Sequence, residues 1–508
     1  MRRMLMVSGR VFSGIYDLVD GVHRFRTYLA GEWVTAEEYQ RVKSPIDLST
    51  IAEVPKLSWN QVDWALDTVY RVGRWRVRDT PGWRRLEILE RVADLMEQYR
   101  EDLEWSLVVN SGKTRSQAAG EVDASIDRLR RADLDARKIF GEYVPGDWDP
   151  TTVETEAVVR REPYGVVLAI SPFNYPLFDT VSKFVYSAVA GNAVVVKPPS
   201  ADPVPVILFA RLVEEAGFPK EAFAVVTIPG SEGDRLVADE RVSVISFTGS
   251  SRTGRRILSV AGIKQFIMEL GGGDPAIVLA DADLELAAER VAVGIYSYAG
   301  QRCDAIKLVL VEKPIYEKFS RMLAEKISRV TVGDPRSPGV LVGPLIDESA
   351  ADEMMDALGD ALSKGGRVLA GGRRLGPTLV EPTLVEVRDK EVLRGMKLYR
   401  EEVFAPVALI TDFVTEEEAV ELANGRRYGL DVAIFGWDLD RIRRLVRLLE
   451  FGAVYINDMP RHGVGYYPFG GRMESGIGRE GIAYSVEYVS AYKTIIFNYK
   501  GRGVWKYA

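Results

Sequence analysis

Cys303 is the single thiol in the 508-residue chain, set in the polar run Gly300-Gln301-Arg302-Cys303-Asp304. A lone cysteine is most often a small buried hydrophobe. Here Arg302 favours the thiolate and Asp304 opposes it, so a lowered pKa does not follow from the neighbours alone. Glu269 stands in Met268-Glu269-Leu270-Gly271-Gly272-Gly273, at the end of a strand-like run. Glutamates are usually solvated surface residues. One flanked by Met, Leu and glycines reads as a cleft residue. A thiol and a carboxylate without a third partner suit covalent catalysis followed by hydrolysis. Neither His23 nor His462 has the setting of a papain-like Cys–His pair. With one Cys and two His, an internal disulfide is excluded and no metal site is expected.

These residues need elements to hold them. GVVLAI (165–170), AVVVK (193–197), FAVVTI (223–228) and VSVISF (242–247) are short Val/Ile-rich runs separated by helical patterns such as Val204 to Ala216. That alternation predicts βαβ units and a parallel sheet. A second set, PAIVLA (275–280), IKLVLV (306–311), VAIF (432–435) and AVYIN (453–457), predicts another α/β unit. A helix is expected over 81–109, stopped by Gly112, and another from a Thr415/Glu418 capping box to Gly425. In open parallel sheets, ligands sit beyond the carboxyl ends of the strands. Those ends carry Ser171-Pro172-Phe173-Asn174-Tyr175-Pro176, Lys197-Pro198-Pro199-Ser200 and Thr248-Gly249-Ser250. Any one of these loops reads as ordinary turn chemistry. Three in register point to a nucleotide-type site, with the helix after Ser250 offering backbone N–H groups to a pyrophosphate. Gly476-Ile477-Gly478-Arg479-Glu480-Gly481 has the letters of a dinucleotide fingerprint, but no strand is expected to lead into it, and it reads as loop.

Composition sets outer bounds. Apolar residues at 47 %, charged residues at 27 % and a net charge of −7 describe an ordinary globular chain with no basic footprint, so nucleic acid is not an expected partner. No apolar run reaches membrane-spanning length and the N-terminus lacks a signal-peptide core, so no membrane is expected and the cytoplasm is the expected location. Arginine outnumbers lysine 48 to 18, a bias that fits a thermophile or a GC-rich genome.

Seven motifs in order, FNYP (173–176), VVVKP (194–198), FTGS (247–250), MELGG (268–272), GQRC (300–303), EEVFAPV (401–407) and PFGG (468–471), resemble the aldehyde dehydrogenase superfamily. The likeness runs from about residue 25 to the C-terminus. Tyrosine in FNYP and arginine in GQRC resemble the non-phosphorylating glyceraldehyde-3-phosphate dehydrogenases, and INDMPRHGVGYYPFGG (456–471) looks like their archaeal branch. The resemblance implies an α/β fold. A parallel-sheet Rossmann-type cofactor domain would comprise 1–139 and 164–270, and a second α/β catalytic domain 271–486. A small β oligomerisation element, 140–163 with 487–508, would make a homo-oligomer, commonly a tetramer.

The implied reaction is irreversible, NADP- or NAD-dependent oxidation of glyceraldehyde 3-phosphate to 3-phosphoglycerate without inorganic phosphate. Carried over by motif, Cys303 is the nucleophile, Asn174 holds the oxyanion with the Cys303 backbone N–H, and Glu269 activates the hydrolytic water. The cofactor would lie over Lys197, Gly249 and Ser250, bounded by Pro172, Phe173, Gly230, Thr248 and Leu270, with Glu402 and Phe404 near the nicotinamide ribose. Ser200 stands where NAD-preferring members often carry Glu, so NADP is expected to be accepted. Arg302, then Arg461, with the Tyr175 hydroxyl, would hold the substrate phosphate. The family's further phosphate-binding arginine aligns with Ala124, and Arg128 and Arg130 lie nearby. The alternatives are an aldehyde or semialdehyde dehydrogenase for an unphosphorylated substrate, and a non-catalytic binding protein on the same fold.

Overall fold

The computed structural model describes residues 7–462 and 465–500. The runs VVLAI and AVVVK are buried along nearly their whole length because helices cover both faces of the sheet they enter. That sheet has eight strands in the order Gly476–Ile477, Gln265–Glu269, Val244–Thr248, Val166–Ile170, Ala193–Lys197, Phe223–Val225, Thr27–Leu29, Glu32–Val34. The five strands from Gln265–Glu269 to Phe223–Val225 run parallel. Their shared carboxyl edge aligns Ile170 with Lys197 and Thr248 with Glu269.

A second, seven-stranded sheet has the order Arg367–Ala370, Thr383–Glu386, Val407–Phe413, Ile306–Glu312, Asp274–Val278, Asp431–Phe435, Ala453–Ile456. It is parallel except at Arg367–Ala370. A smaller four-stranded sheet gathers the N-terminal strands between Tyr16 and Lys56. A two-stranded sheet pairs Tyr428–Gly429 with Arg472–Met473, and a three-stranded sheet joins distant segments: Thr155–Pro163 pairs with Glu142–Pro145 on one side and with Ser490–Asn498 on the other. It joins neither α/β sheet and leaves Tyr143, Tyr492 and Ile496 exposed.

Three local expectations are corrected. The helix predicted over 81–109 is two, Gly82–Gln98 and Arg100–Ser111, because Tyr99 leaves helical geometry (φ −108°, ψ 26°). Thr415 caps its helix, but Glu418 reaches back to the Val414 N–H, one residue before a capping box requires. The segment read as loop at 476–481 begins as a strand, Gly476–Ile477, paired antiparallel with Met268 and Glu269. Gly112 stops its helix as expected, in a left-handed conformation at φ 72°.

Candidate active site

Loops leaving the carboxyl edge of the first sheet face the second sheet across a cavity of about 1210 Å³. Cys303, Glu269, Asn174, Tyr175, Arg302 and Arg461 all line it, as do Pro172, Phe173, Thr248, Gly249, Ser250, Leu270, Glu402 and Phe404. Lys197, Ser200 and Gly230 do not. Lys197 ends the strand beside Ile170, the Ser200 carbonyl accepts from Gln40, and Gly230 opens a short turn beyond the next strand.

Cys303 follows a strained turn. Tyr298 and Ala299 hold left-handed φ angles of 49° and 51°, and Gly300 follows at 66°. Strain of this kind persists only where surroundings over-determine it. Here the Tyr298 hydroxyl donates to the Ser111 carbonyl (3.0 Å), and Gln301 Oε1 accepts from the Ile346 N–H (2.8 Å). Buried Lys307 donates to the Gly300 carbonyl at 3.1 Å and to that of Ala405. A side chain on Gly300 would collide with that same Ala405 carbonyl. Burial pushes the Lys307 ammonium down to about 7.

Arg302 does not leave its fork free. Its Nε and Nη2 hold both Asp304 oxygens at 3.0 and 2.9 Å, and Nη2 also donates to the Pro460 carbonyl at 2.8 Å. The pair is buried. Burial, then Asp304 and Glu402, push the Cys303 thiol well above its usual range, so Cys303 rests as a thiol. Arg302 beside Cys303 therefore does not produce a resting thiolate.

Glu269, expected to activate the hydrolytic water, is 2 % exposed, and neither of its oxygens has a hydrogen-bond partner among the described residues. Burial and the nearby Glu480 push its pKa far up, while Lys183 and Arg479 pull it back. Lys183 pairs with Glu480 at 2.6 Å and donates to Thr248 Oγ1 at 2.7 Å. Glu480 comes from the segment 476–481, whose strand runs beside Glu269. These glycines therefore bring a carboxylate into the site instead of cradling a phosphate. Gly470 faces Glu269 closely: a Cβ there would lie 2.6 Å from Oε1.

On the aldehyde side, Asn174 precedes the helix Pro176–Ala190 and donates from Nδ2 to the Gln301 carbonyl at 3.1 Å. Glu121 fixes this helix start by accepting from the Leu177 and Phe178 N–H groups (3.0 and 3.1 Å). Glu121 also pairs with buried Lys113, whose ammonium lies 3.9 Å from the Tyr175 ring centre. Arg461 is exposed and paired with Asp458 at 2.8 Å. Ala124 lines the cavity, but Arg128 is buried against Asp135 and Arg130 lies at the surface near Glu90 and Asp94.

The opposite end is shaped for close backbone approach. A Cβ on Gly249 would lie 2.6 Å from the Phe247 ring, and one on Gly271 would collide with Glu402. Ser250 caps Ser251–Val260, presenting its N-terminus to the cavity, and exposed Arg252 follows in the first turn. Glu402 Oε1 accepts from the Gly272 N–H at 2.9 Å, and Phe404 meets Phe173 edge-on at 5.7 Å. Among the described residues no cluster of His, Cys, Asp and Glu could hold a metal ion, and no helix is long and apolar enough to cross a membrane.

Sequence reasoning missed Lys183, Glu480, Lys307 and His462. Only Lys183 carried a signal, at nine residues beyond Asn174 on a helix whose other positions are almost all apolar or small.

The aldehyde dehydrogenase family model matches residues 33–495. The chain is 34 % identical to an NADP-dependent glyceraldehyde-3-phosphate dehydrogenase of Streptococcus equinus, over 94 % of this chain and 99 % of that protein. It is 35 % identical to a lactaldehyde dehydrogenase of Methanocaldococcus jannaschii (93 % and 100 %) and 32 % to a 3-sulfolactaldehyde dehydrogenase of Priestia aryabhattai (94 % and 98 %). The crystal structure of a glyceraldehyde-3-phosphate dehydrogenase from M. jannaschii complexed with NADP superposes with a TM-score of 0.86 at 36 % identity, covering 91 % of this chain and all of that one.

Proposed function

The chain belongs to the aldehyde dehydrogenase family, and from that premise we propose that it oxidises a 2-hydroxy aldehyde, glyceraldehyde 3-phosphate first among them, to the acid with NADP or NAD. The observation carrying the reaction class is the meeting of Cys303, Asn174 and Glu269 in one cavity. The substrate class rests on three of the relatives, whose substrates, glyceraldehyde 3-phosphate, lactaldehyde and 3-sulfolactaldehyde, are 2-hydroxypropanals differing at carbon 3; others act on sulfoacetaldehyde and succinate semialdehyde, which lack that hydroxyl.

The glycine-floored end, with its helix N-terminus, Arg252 and Glu402, fits a dinucleotide. When bound, it supplies the two-electron acceptor that lets a thiohemiacetal become a thioester. The chain's own residues do the rest. Cys303 gives up its proton to solvent in the open cavity and its sulfur attacks the aldehyde carbon. Asn174 Nδ2 leaves the Gln301 carbonyl and, with the Cys303 N–H, holds the oxyanion; such a donor typically contributes about 3–4 kcal/mol. Glu269, once deprotonated, takes a proton from the water that hydrolyses the thioester. The proton can pass to the Glu480–Lys183 pair beside it. No acyl phosphate forms, so the reaction is effectively one-way.

For the phosphate we assign Arg302 through its remaining Nη1, Arg461 and the Tyr175 hydroxyl. One observation favours an unphosphorylated 2-hydroxy aldehyde as the second reading: Lys113, Arg302 and Arg461 each already face a carboxylate. We further propose that the sheet formed by 142–163 and 490–498 pairs protomers into an oligomer. Steady-state rates with glyceraldehyde 3-phosphate and lactaldehyde, with each cofactor and with and without inorganic phosphate, test the reading. Glu269→Ala should give a burst of reduced cofactor and then stall. A phosphate requirement, or a full steady rate in that variant, would overturn it.

A further inference from the structure

His462 lines the same cavity as Cys303, and both of its ring nitrogens are buried without a hydrogen-bond partner among the described residues. Buried polar groups are nearly always paired, and a neutral imidazole offers one donor and one acceptor. The ring is held apolar on its faces, against Phe469 with centres 4.5 Å apart and edge-on to Phe178 at 5.3 Å. Phe178 lies on the helix that Asn174 precedes, and Phe469 adjoins Gly470, which abuts Glu269. The imidazole is thus fixed between the oxyanion side and the hydrolytic side of the site, with no hydrogen-bond partner among the described residues. Burial holds it below its ordinary range despite Glu480 and Asp304, so it is neutral near pH 7. It does not contact Cys303 by any hydrogen bond and is not the thiol's base.

We propose that His462 reads the substrate's 2-hydroxyl: a ring nitrogen hydrogen-bonds the hydroxyl on the carbon next to the aldehyde, and the enzyme thereby selects 2-hydroxy aldehydes over their deoxy counterparts. This rests on the substrate class proposed above. A hydroxyl one bond from the attacked carbon stays near the anchored carbonyl whatever group carbon 3 carries, so one fixed imidazole serves phosphorylated and plain substrates alike.

The test compares lactaldehyde with propanal, which lacks only the hydroxyl, and glyceraldehyde 3-phosphate with 3-oxopropyl phosphate, using the full-length enzyme with NADP. Wild type should prefer the hydroxylated member of each pair. His462→Phe keeps the ring stacking and should lower kcat/KM for the hydroxylated members by about 10-fold, leaving the deoxy members within about 3-fold. His462→Asn, which keeps a donor and an acceptor, should retain most of the preference. The Phe variant removes an unpaired polar group, so its melting temperature should not fall, and His462→Leu, which also lacks donor and acceptor, gives the same readout if it does. A wild type indifferent to the hydroxyl overturns the substrate class and the inference with it. A selective wild type whose preference survives in His462→Phe overturns the role of His462 alone.

Discussion

Arg302→Leu is the substitution whose outcome the structure most changes. From its place beside Cys303, the loss would fall on phosphorylated substrate only. In the fold, Arg302 and Asp304 form a pair whose side chains are each 6 % exposed, and removing the guanidinium strands a buried carboxylate next to the thiol. Breaking such a pair costs about 3–5 kcal/mol. Each unit by which Asp304 then raises the thiol pKa costs about tenfold in thiolate. The Pro460 carbonyl also loses its donor, which loosens the loop bearing Arg461 and His462. Arg302→Leu should therefore melt well below wild type and lose activity on every aldehyde. Adding Asp304→Asn removes the stranded charge. The double variant should recover most of the stability and of the activity on propanal, yet remain at least about 10-fold down on glyceraldehyde 3-phosphate, because a hydrogen bond to a charged group contributes about 1.5–3 kcal/mol. Thermal unfolding and kcat/KM for both aldehydes across the three proteins decide it. A single variant that is fully stable and weakened only on the phosphorylated substrate would refute the reasoning.

The raised thiol pKa predicts slow alkylation of apo Cys303 by iodoacetamide at pH 7, rising with pH into the alkaline range; a rate flat from pH 7 to 9 would contradict it. Glu402 and Asp179 are both pushed up to about 7 by burial. Between about pH 4.5 and 7 the folded state binds more protons than the unfolded one, so apo stability should fall as pH rises through that window. Glu402→Gln should flatten the fall, and an unchanged slope of melting temperature against pH argues against it. Ser200→Glu should weaken NADP about 10-fold more than NAD by repelling a 2′-phosphate; unchanged NADP titrations would place the adenosine ribose elsewhere. Deleting residues 488–508 removes the strand Ser490–Asn498 from Thr155–Pro163 and should lower oligomer mass and melting temperature together. Sedimentation at full oligomer size with unchanged melting would exclude the tail as an interface element.

The residue types alone settled the strands and the reaction class. VVLAI, AVVVK and IKLVLV are short, apolar on both faces and β-branched, a combination few conformations other than a buried parallel strand can satisfy. Cys303 and Glu269 suggested thiol chemistry with hydrolysis, and the spacing of seven motifs tied the chain to one family. Tyr99 shows the limit of periodicity: the apolar spacing of 86–103 continues across a break that a single residue's backbone makes. What the sequence left open were relations between residues far apart in the chain. Arg302 looked free for a phosphate until the fold set Asp304 and the Pro460 carbonyl against it. Lys183 and Glu480 are 297 positions apart and meet only because Gly476–Ile477 joins the sheet edge beside Glu269. His462 looked idle because its meaning lies in an absence of partners. Local propensity and side-chain chemistry are properties of short stretches and can be read there. Desolvation, ion pairing and unmet hydrogen bonds depend on which distant groups share a low-dielectric space, and only the packed chain decides that.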